Sequence, residues 1–216
     1  MRAFLLLAIA GSLAAQDREA ALGEHVAARM RRDTTPADPA VREYVGALAK
    51  RLAPPDSHWE IDVVVEDLGW KTYEPVWVPG HLFVAARLIL STRSEAELAG
   101  LLAHAMSHVA RRTAGGTVIF GNTAPLDTET EAGADERAVR LLAAAGYDPR
   151  ALIDYLRRLQ PSPATRIVSL EGVVAGIPPR AEWVDSTGDF VEAQERLRRS
   201  LAPRPPRKPS LFRDDR

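Results

Sequence analysis

Two histidines, His104 and His108, stand four residues apart in a stretch from Ser94 to Arg112 that reads as one helix. Four steps of ~100° bring a helix to within about 40° of its starting direction, so both imidazoles share a face, one turn apart. Imidazoles so placed can hold one tetrahedral divalent ion such as zinc. The surrounding residues (Leu98, Leu101, Leu102, Ala103, Ala105, Met106, Val109) are apolar almost all round, which places this helix in the middle of the protein. Two buried imidazoles satisfied only by backbone carbonyls would need two separate sets of partners. Downstream, Glu131 and Asp135 repeat the four-residue spacing. Glu131 can supply an anionic third ligand, and Asp135 can accept the free N–H of a ligating histidine and fix its tautomer. Asp127, Glu129 and Glu136 lie nearby, and acids favour a helix start in any case, so spacing alone does not choose among them.

The composition narrows the alternatives. With no cysteine, disulfides, thiolate metal sites, cysteine nucleophiles and a lipid-attachment cysteine are all excluded, and a metal site must be built from His, Asp and Glu. A formal net charge of -1 over 216 residues gives no broad field to recruit nucleic acid or an anionic membrane. Arg2, the apolar run Ala3 to Ala10 and the small residues Ser12 to Ala15 read as an export signal over 1–15, and no later run is long enough to span a membrane. The expected product is exported, periplasmic or secreted. Residues 16–201 are expected to form one domain, and the proline- and arginine-rich segment 202–216 a disordered tail.

The elements that must position these residues are mostly helical. Helices are expected over Asp17 to Arg32, from Asp38-Pro39 to about Leu52, Ser94 to Arg112, about Asp127 to Ala145, Asp148 to about Leu159, from about Pro163, and over Asp189 to Leu201. Ser94 with Glu97 forms a capping-box pattern, and Gly146 marks a helix end. Trp59 to Val65, Tyr73 to Val78 and Leu82 to Val84 read as strands, with Pro79-Gly80 suggesting an edge position. The fold class is α+β, mainly helical with one small sheet. His81 follows Pro79-Gly80 and is simplest as a strand-start residue, with a substrate contact as the alternative. His25 and His58 are expected at the surface or in structural roles, and Trp59, Trp70, Trp77 and Trp183 in packing. Ser107 lacks a nucleophile elbow.

His104-Ala-Met-Ser-His108 followed by Glu131-Ala-Gly-Ala-Asp135 resembles the HtpX/CAAX-prenyl-protease type of gluzincin metallopeptidase. That family carries His-Glu-x-x-His and then Glu-x-x-Ala-Asp on a second helix. Val78 to Val84 resembles its edge strand, Glu95 to His104 its zinc helix, Ala145 to Pro149 the following helix end, and Pro161 to Arg166 its His-Pro segment ending in arginine. The resemblance covers roughly Ala20 to Leu201. It implies a zincin-like fold whose edge strand flanks the active-site helix, with one Zn2+ per chain on His104, His108 and Glu131. Asp135 would orient a histidine, Arg166 would stabilise a tetrahedral oxyanion, and Leu82, Phe83 and Val84 would hold an extended polypeptide by main-chain pairing. The implied activity is metalloendopeptidase action on unfolded or misfolded envelope proteins.

Two positions depart from the pattern. Ala105 stands where the family has its glutamate general base, and Gln160 stands where His-Pro is common. An alanine can neither take a proton from water nor return one to a leaving amine; such help contributes ~10²–10⁴-fold. Alanine is both what a substrate-trapping replacement leaves and what a natural pseudoenzyme carries. A non-catalytic, zinc-stabilised peptide-binding module is therefore the alternative. Glu95 and Glu97 lie two turns or more upstream and are not expected to reach the metal.

Overall fold

The computed structural model describes residues 18, 20–53, 59–66, 74–112, 128–159 and 164–202, without the side chains of 109–112 and 128–130. The signal over 1–15, the tail beyond 202, Gln160, Trp70, His58 and the Thr113–Pro125 connection lie outside them. In chain order the elements are α1 (20–33), α2 (Pro39–Leu52), β1 (Glu60–Val64), β2 (Val76–Val78), β3 (His81–Ala85), α3 (Ala86–Ser91), α4 (Glu95–Arg112), α5 (Thr128–Ala145), α6 (Ala151–Arg157), α7 (Ala164–Ala175) and α8 (Gly188–Leu201). The chain is mainly helical with a three-stranded sheet, an α+β architecture. Among the described residues no helix is long and apolar enough to cross a membrane.

Local chemistry sets several boundaries. Asp38 caps α2 by accepting from the Ala40 N–H, with Pro39 at the first helical position, where its missing N–H costs nothing. Ser94 Oγ accepts from the Glu97 N–H at 3.3 Å. The Glu97 carboxylate reaches back to the Arg93 N–H at 2.7 Å, one residue before the box expected from sequence. Gly146 ends α5 at φ +88°, and the Tyr147 N–H returns to the Leu142 carbonyl, closing the helix with a left-handed residue that glycine adopts without steric cost. The short α3 was not foreseen: of its residues Ala86 to Leu90 only Arg87 is polar, too little to mark a helical face, so nothing in the sequence separates it from the preceding strand.

The sheet order is β1-β3-β2. β3 pairs in parallel with β1 (Leu82 opposite Ile61) and antiparallel with β2 (Leu82 opposite Trp77). This corrects the expected edge position of Leu82, Phe83 and Val84. They lie on the central strand, all three buried, and a backbone already paired on both sides cannot take a third strand. The physical reason is that both sides of β3 are used: Pro79-Gly80, with Gly80 at φ +80°, is a tight two-residue connection that folds β2 back against one side, and β1 pairs in parallel with the other. Segment 35–37 runs along the other side of β1, with hydrogen bonds from Ala37 N to Val63 O and from Val65 N to Thr35 O. The outer strand on the α4 side is β2.

Alternation divides the sheet's side chains between two apolar layers. Val63, Leu82 and Val84 join the main core with α2, α4, α5, α6 and α8. Val64, Val78 and Phe83 face the other way, under Ala27 of α1. On α1 Leu22 is exposed, while Gly23 and Ala27 are buried against the sheet. The helix comes so close that a Cβ at Gly23 would lie 2.2 Å from the Pro79 carbonyl oxygen. Gly23→Ala is therefore expected to cost about 1–3 kcal/mol by forcing α1 off the turn. Gly46→Ala, on α2 with nothing within 4 Å of the added carbon, should stabilise by roughly 0.5–1 kcal/mol through helix propensity. Urea midpoints that moved the same way for both would contradict this packing.

Candidate metal centre

α4 and α5 pack against each other along their length, and their facing sides carry the constellation. A small residue at the crossing with α6 assists: a Cβ at Gly100 would sit 3.2 Å from the Leu152 Cβ and 3.4 Å from a Leu142 methyl. Arg137 on α5 donates to the Ser107 carbonyl at 2.9 Å, tying α5 to the turn of α4 between the two histidines. Ser107 Oγ donates to the Ala103 carbonyl at 2.7 Å, so its hydroxyl is engaged within the helix, in keeping with its reading as no nucleophile.

His104, His108 and Glu131 are brought together, all buried, with one ligand atom of each within 4.8 Å of the others. The two Nε2 atoms face each other at 3.0 Å. Glu131 Oε2 is 3.5 Å from His104 Nε2, and Glu131 Oε1 is 3.4 Å from His108 Nε2. Donors bound at ~2.0–2.1 Å around a tetrahedral ion stand about 3.3–3.4 Å apart, so these separations fit one shared ion. Neither Glu131 oxygen accepts a hydrogen bond among the described residues, although the residue is only 8% exposed. A buried carboxylate without hydrogen bonds is costly unless something else takes its lone pairs, and a cation between it and the two imidazole nitrogens would do so.

The surroundings support the same assignment. His104 Nδ1 lies 2.8 Å from Asp135 Oδ1, off the ideal hydrogen-bond line. A proton on Nδ1 would face this carboxylate and would leave the Nε2 lone pair towards His108 and Glu131. Arg166 on α7 grips Asp135 with two N–H groups, Nε to Oδ2 and Nη2 to Oδ1, both at 2.8 Å. Its Nη1 stands 3.3 Å from Glu131 Oε2 and 3.5 Å from Glu74 Oε1. The side chain that the resemblance gives as an oxyanion donor thus lies against three carboxylates. Trp77 of β2 lies offset-parallel to the His108 ring, 6.1 Å between centroids, which ties the outer strand to the ligand helix.

The titration behaviour follows from this crowding. Burial opposes a charged His104, but the Asp135 contact and the fields of Glu74 and Asp135 outweigh it and raise its pKa. Burial also lifts Glu131 above the usual carboxylate range, reinforced by Glu74 and Asp135 against the pull of His104 and Arg166. Asp135 goes the other way: despite burial, the Arg166 and His104 contacts hold it down at about 2. Three carboxylates (Glu74, Glu131, Asp135) surround one guanidinium and two imidazoles. With neutral imidazoles the formal charge is -2, which one divalent cation neutralises.

Other expected positions fall elsewhere. Ala105 is buried within the main apolar core. Glu95 accepts from the Tyr147 and Thr187 hydroxyls, and Glu97 is held by Arg158, so neither upstream acid serves the centre. His81 points to the opposite face of the sheet. It meets Arg31 at 3.2 Å, Glu24 at 3.4 Å and Glu60 at 3.5 Å, which supports the strand-start reading over a substrate contact. Although Glu24, Glu60 and His81 also lie close enough to share an ion, Arg31 occupies that cluster. It donates to Glu60 at 2.7 Å and Asp62 at 2.8 Å, and its guanidinium supplies the positive charge. Trp59 and Trp77 pack against the core, Arg180 lies over Trp183, and His25 is exposed.

Sequence reasoning missed Glu74, Trp77 and Arg137 at the centre. The available signal was Glu74-Pro75 immediately before an apolar strand, since proline holds the preceding residue extended, but nothing local says which strand edge meets α4. No family model matches the chain, and no curated protein does.

Proposed function

We propose that this chain is an exported zinc-binding protein of the gluzincin metallopeptidase type, with His104, His108 and Glu131 holding one Zn2+ and an extended polypeptide as its substrate class. The observation that carries this reading is the buried Glu131 carboxylate, without hydrogen bonds and facing two Nε2 atoms, one of them set by Asp135. Zinc, when bound, would acidify water and polarise a carbonyl. The chain's own residues orient the ligands: Asp135 fixes the His104 tautomer, and Arg166 holds Asp135 and faces Glu131. With Leu82 to Val84 paired on both sides, an extended peptide would run along β2, whose Trp77 lies beside His108. Ala105 removes the family's proton carrier, so hydrolysis is expected to be slow.

A second reading, a zinc-stabilised peptide-binding module, is favoured by one observation: position 105 is an apolar core residue, leaving no acid or base on α4 beside the two histidines. The test common to both is elemental analysis after purification without chelator. About one zinc per chain is expected, falling to near zero in Glu131→Gln, with far-ultraviolet circular dichroism unchanged. A folded chain that takes up no metal at saturating zinc defeats both readings. Chelator-sensitive hydrolysis of unfolded casein by Ala105→Glu then separates the peptidase from the binding module.

A further inference from the structure

We propose that Glu74, resting on the peptidase reading above, is the proton carrier that replaces the missing glutamate at 105. Glu74 stands two residues before β2, on the strand side of the centre, where the family pattern has no acid in that role. Its side chain is 11% exposed. Among the described residues the buried acids are all engaged: Glu95 by two hydroxyls, Glu97 by Arg158 and the Arg93 N–H, Asp135 by Arg166 and His104, and Glu131 by its position facing the two histidines. Partly buried Glu74 makes one long hydrogen bond among the described residues, to Arg166 Nη1 at 3.5 Å. That same nitrogen is 3.3 Å from Glu131 Oε2, so the two carboxylates flank one guanidinium nitrogen with no more than about 7 Å between their facing oxygens, the region where a reacting water would lie. Pro75 restricts the backbone at Glu74, and Trp77 fixes the strand against His108, so the carboxylate is held in place.

The step balances without any further reactant. A water oxygen attacks the scissile carbonyl carbon, and the carbonyl π pair moves to its oxygen. Glu74 takes one water proton. When the carbonyl re-forms and the C–N bond breaks, Glu74 returns that proton to the amide nitrogen, giving a carboxylic acid and an amine. Arg166 Nη1 keeps Glu74 turned inward during the transfer.

The test uses the full chain, its Glu74→Gln, Ala105→Glu and Glu74→Gln/Ala105→Glu variants, a fluorogenic casein with and without EDTA, and cobalt loading followed by visible absorption. Glu74→Gln should lower the chelator-sensitive rate at least ~100-fold, leave cobalt stoichiometry and the ligand-field band as in the parent, and have much less effect in the Ala105→Glu background, where a second base is present. An undiminished rate in Glu74→Gln overturns the proposal and leaves the peptidase reading standing. So does a parent chain with no chelator-sensitive turnover. A changed or lost cobalt band in Glu74→Gln also overturns it, by making Glu74 a ligand or a support. Failure of both the parent and Ala105→Glu to bind cobalt defeats the peptidase reading itself, and this inference with it.

Discussion

Replacing Arg166 with methionine should destabilise the metal-free protein by about 3–5 kcal/mol, the usual cost of removing one member of a buried charge cluster. Asp135 is 1% exposed and loses both of its 2.8 Å guanidinium contacts, while Glu131 and Glu74 lose their shared counter-charge. The pH dependence gives the test its direction. In the parent chain Asp135 is held at about 2, below its unfolded value, so its contribution is fully present above the unfolded pKa and lost as pH falls through about 2. Without Arg166, burial dominates, the carboxylates accept protons at higher pH, and the unpaired charge disappears. The difference in unfolding free energy between parent and variant, measured in urea with EDTA, should therefore be largest at neutral pH and shrink towards pH 4. Asp135→Asn combined with Arg166→Met should cost clearly less than the two separate losses added together. A loss of under ~1 kcal/mol would mean that the guanidinium behaves as a solvated surface group, contrary to its two short contacts.

What the sequence made legible was local, and what it concealed was the meeting of distant segments. The His104/His108 and Glu131/Asp135 pairs are readable because helical periodicity alone puts each pair on one face, and Asp38, Ser94 and Gly146 mark helix ends through contacts that span a few residues. Choosing Glu131 over Glu136 required the α4–α5 packing, which turns Glu131 inward and leaves Glu136 bonded to Arg140 on the exposed side. Strand order was not legible at all. Leu82 to Val84 and Val76 to Val78 are similar apolar runs, and only the parallel pairing of β1 with β3 makes one central and the other outer. Glu74 was hidden for the same reason: 92 residues separate it from Arg166, and no periodic pattern links them. Glu131 departs from the preference for satisfied buried polar groups, and such departures concentrate where a protein binds or reacts.

Ala105→Glu should raise chelator-sensitive peptide hydrolysis by about 10²–10⁴-fold if no other group already carries the proton, and by less to the extent that Glu74 does. Position 105 lies ~100° round the helix from His104 and ~60° from His108, next to the ligand face, so a glutamate there has the length to bring its carboxylate to the centre. The cost is predictable as well. The Ala105 side chain sits in an apolar cluster at 2% exposure, and the added methylenes must be accommodated in a packed interior at about 1–3 kcal/mol. An ionised carboxylate can be tolerated there only by facing the centre. Activity and stability should therefore move in opposite directions in the one variant, with metal content unchanged at one ion per chain, whereas Ala105→Gln should show the stability loss without the rate gain. A variant that binds zinc, folds and still hydrolyses nothing would leave peptide capture as the function of this centre, because the ligands would then be intact and the missing base would no longer account for the silence.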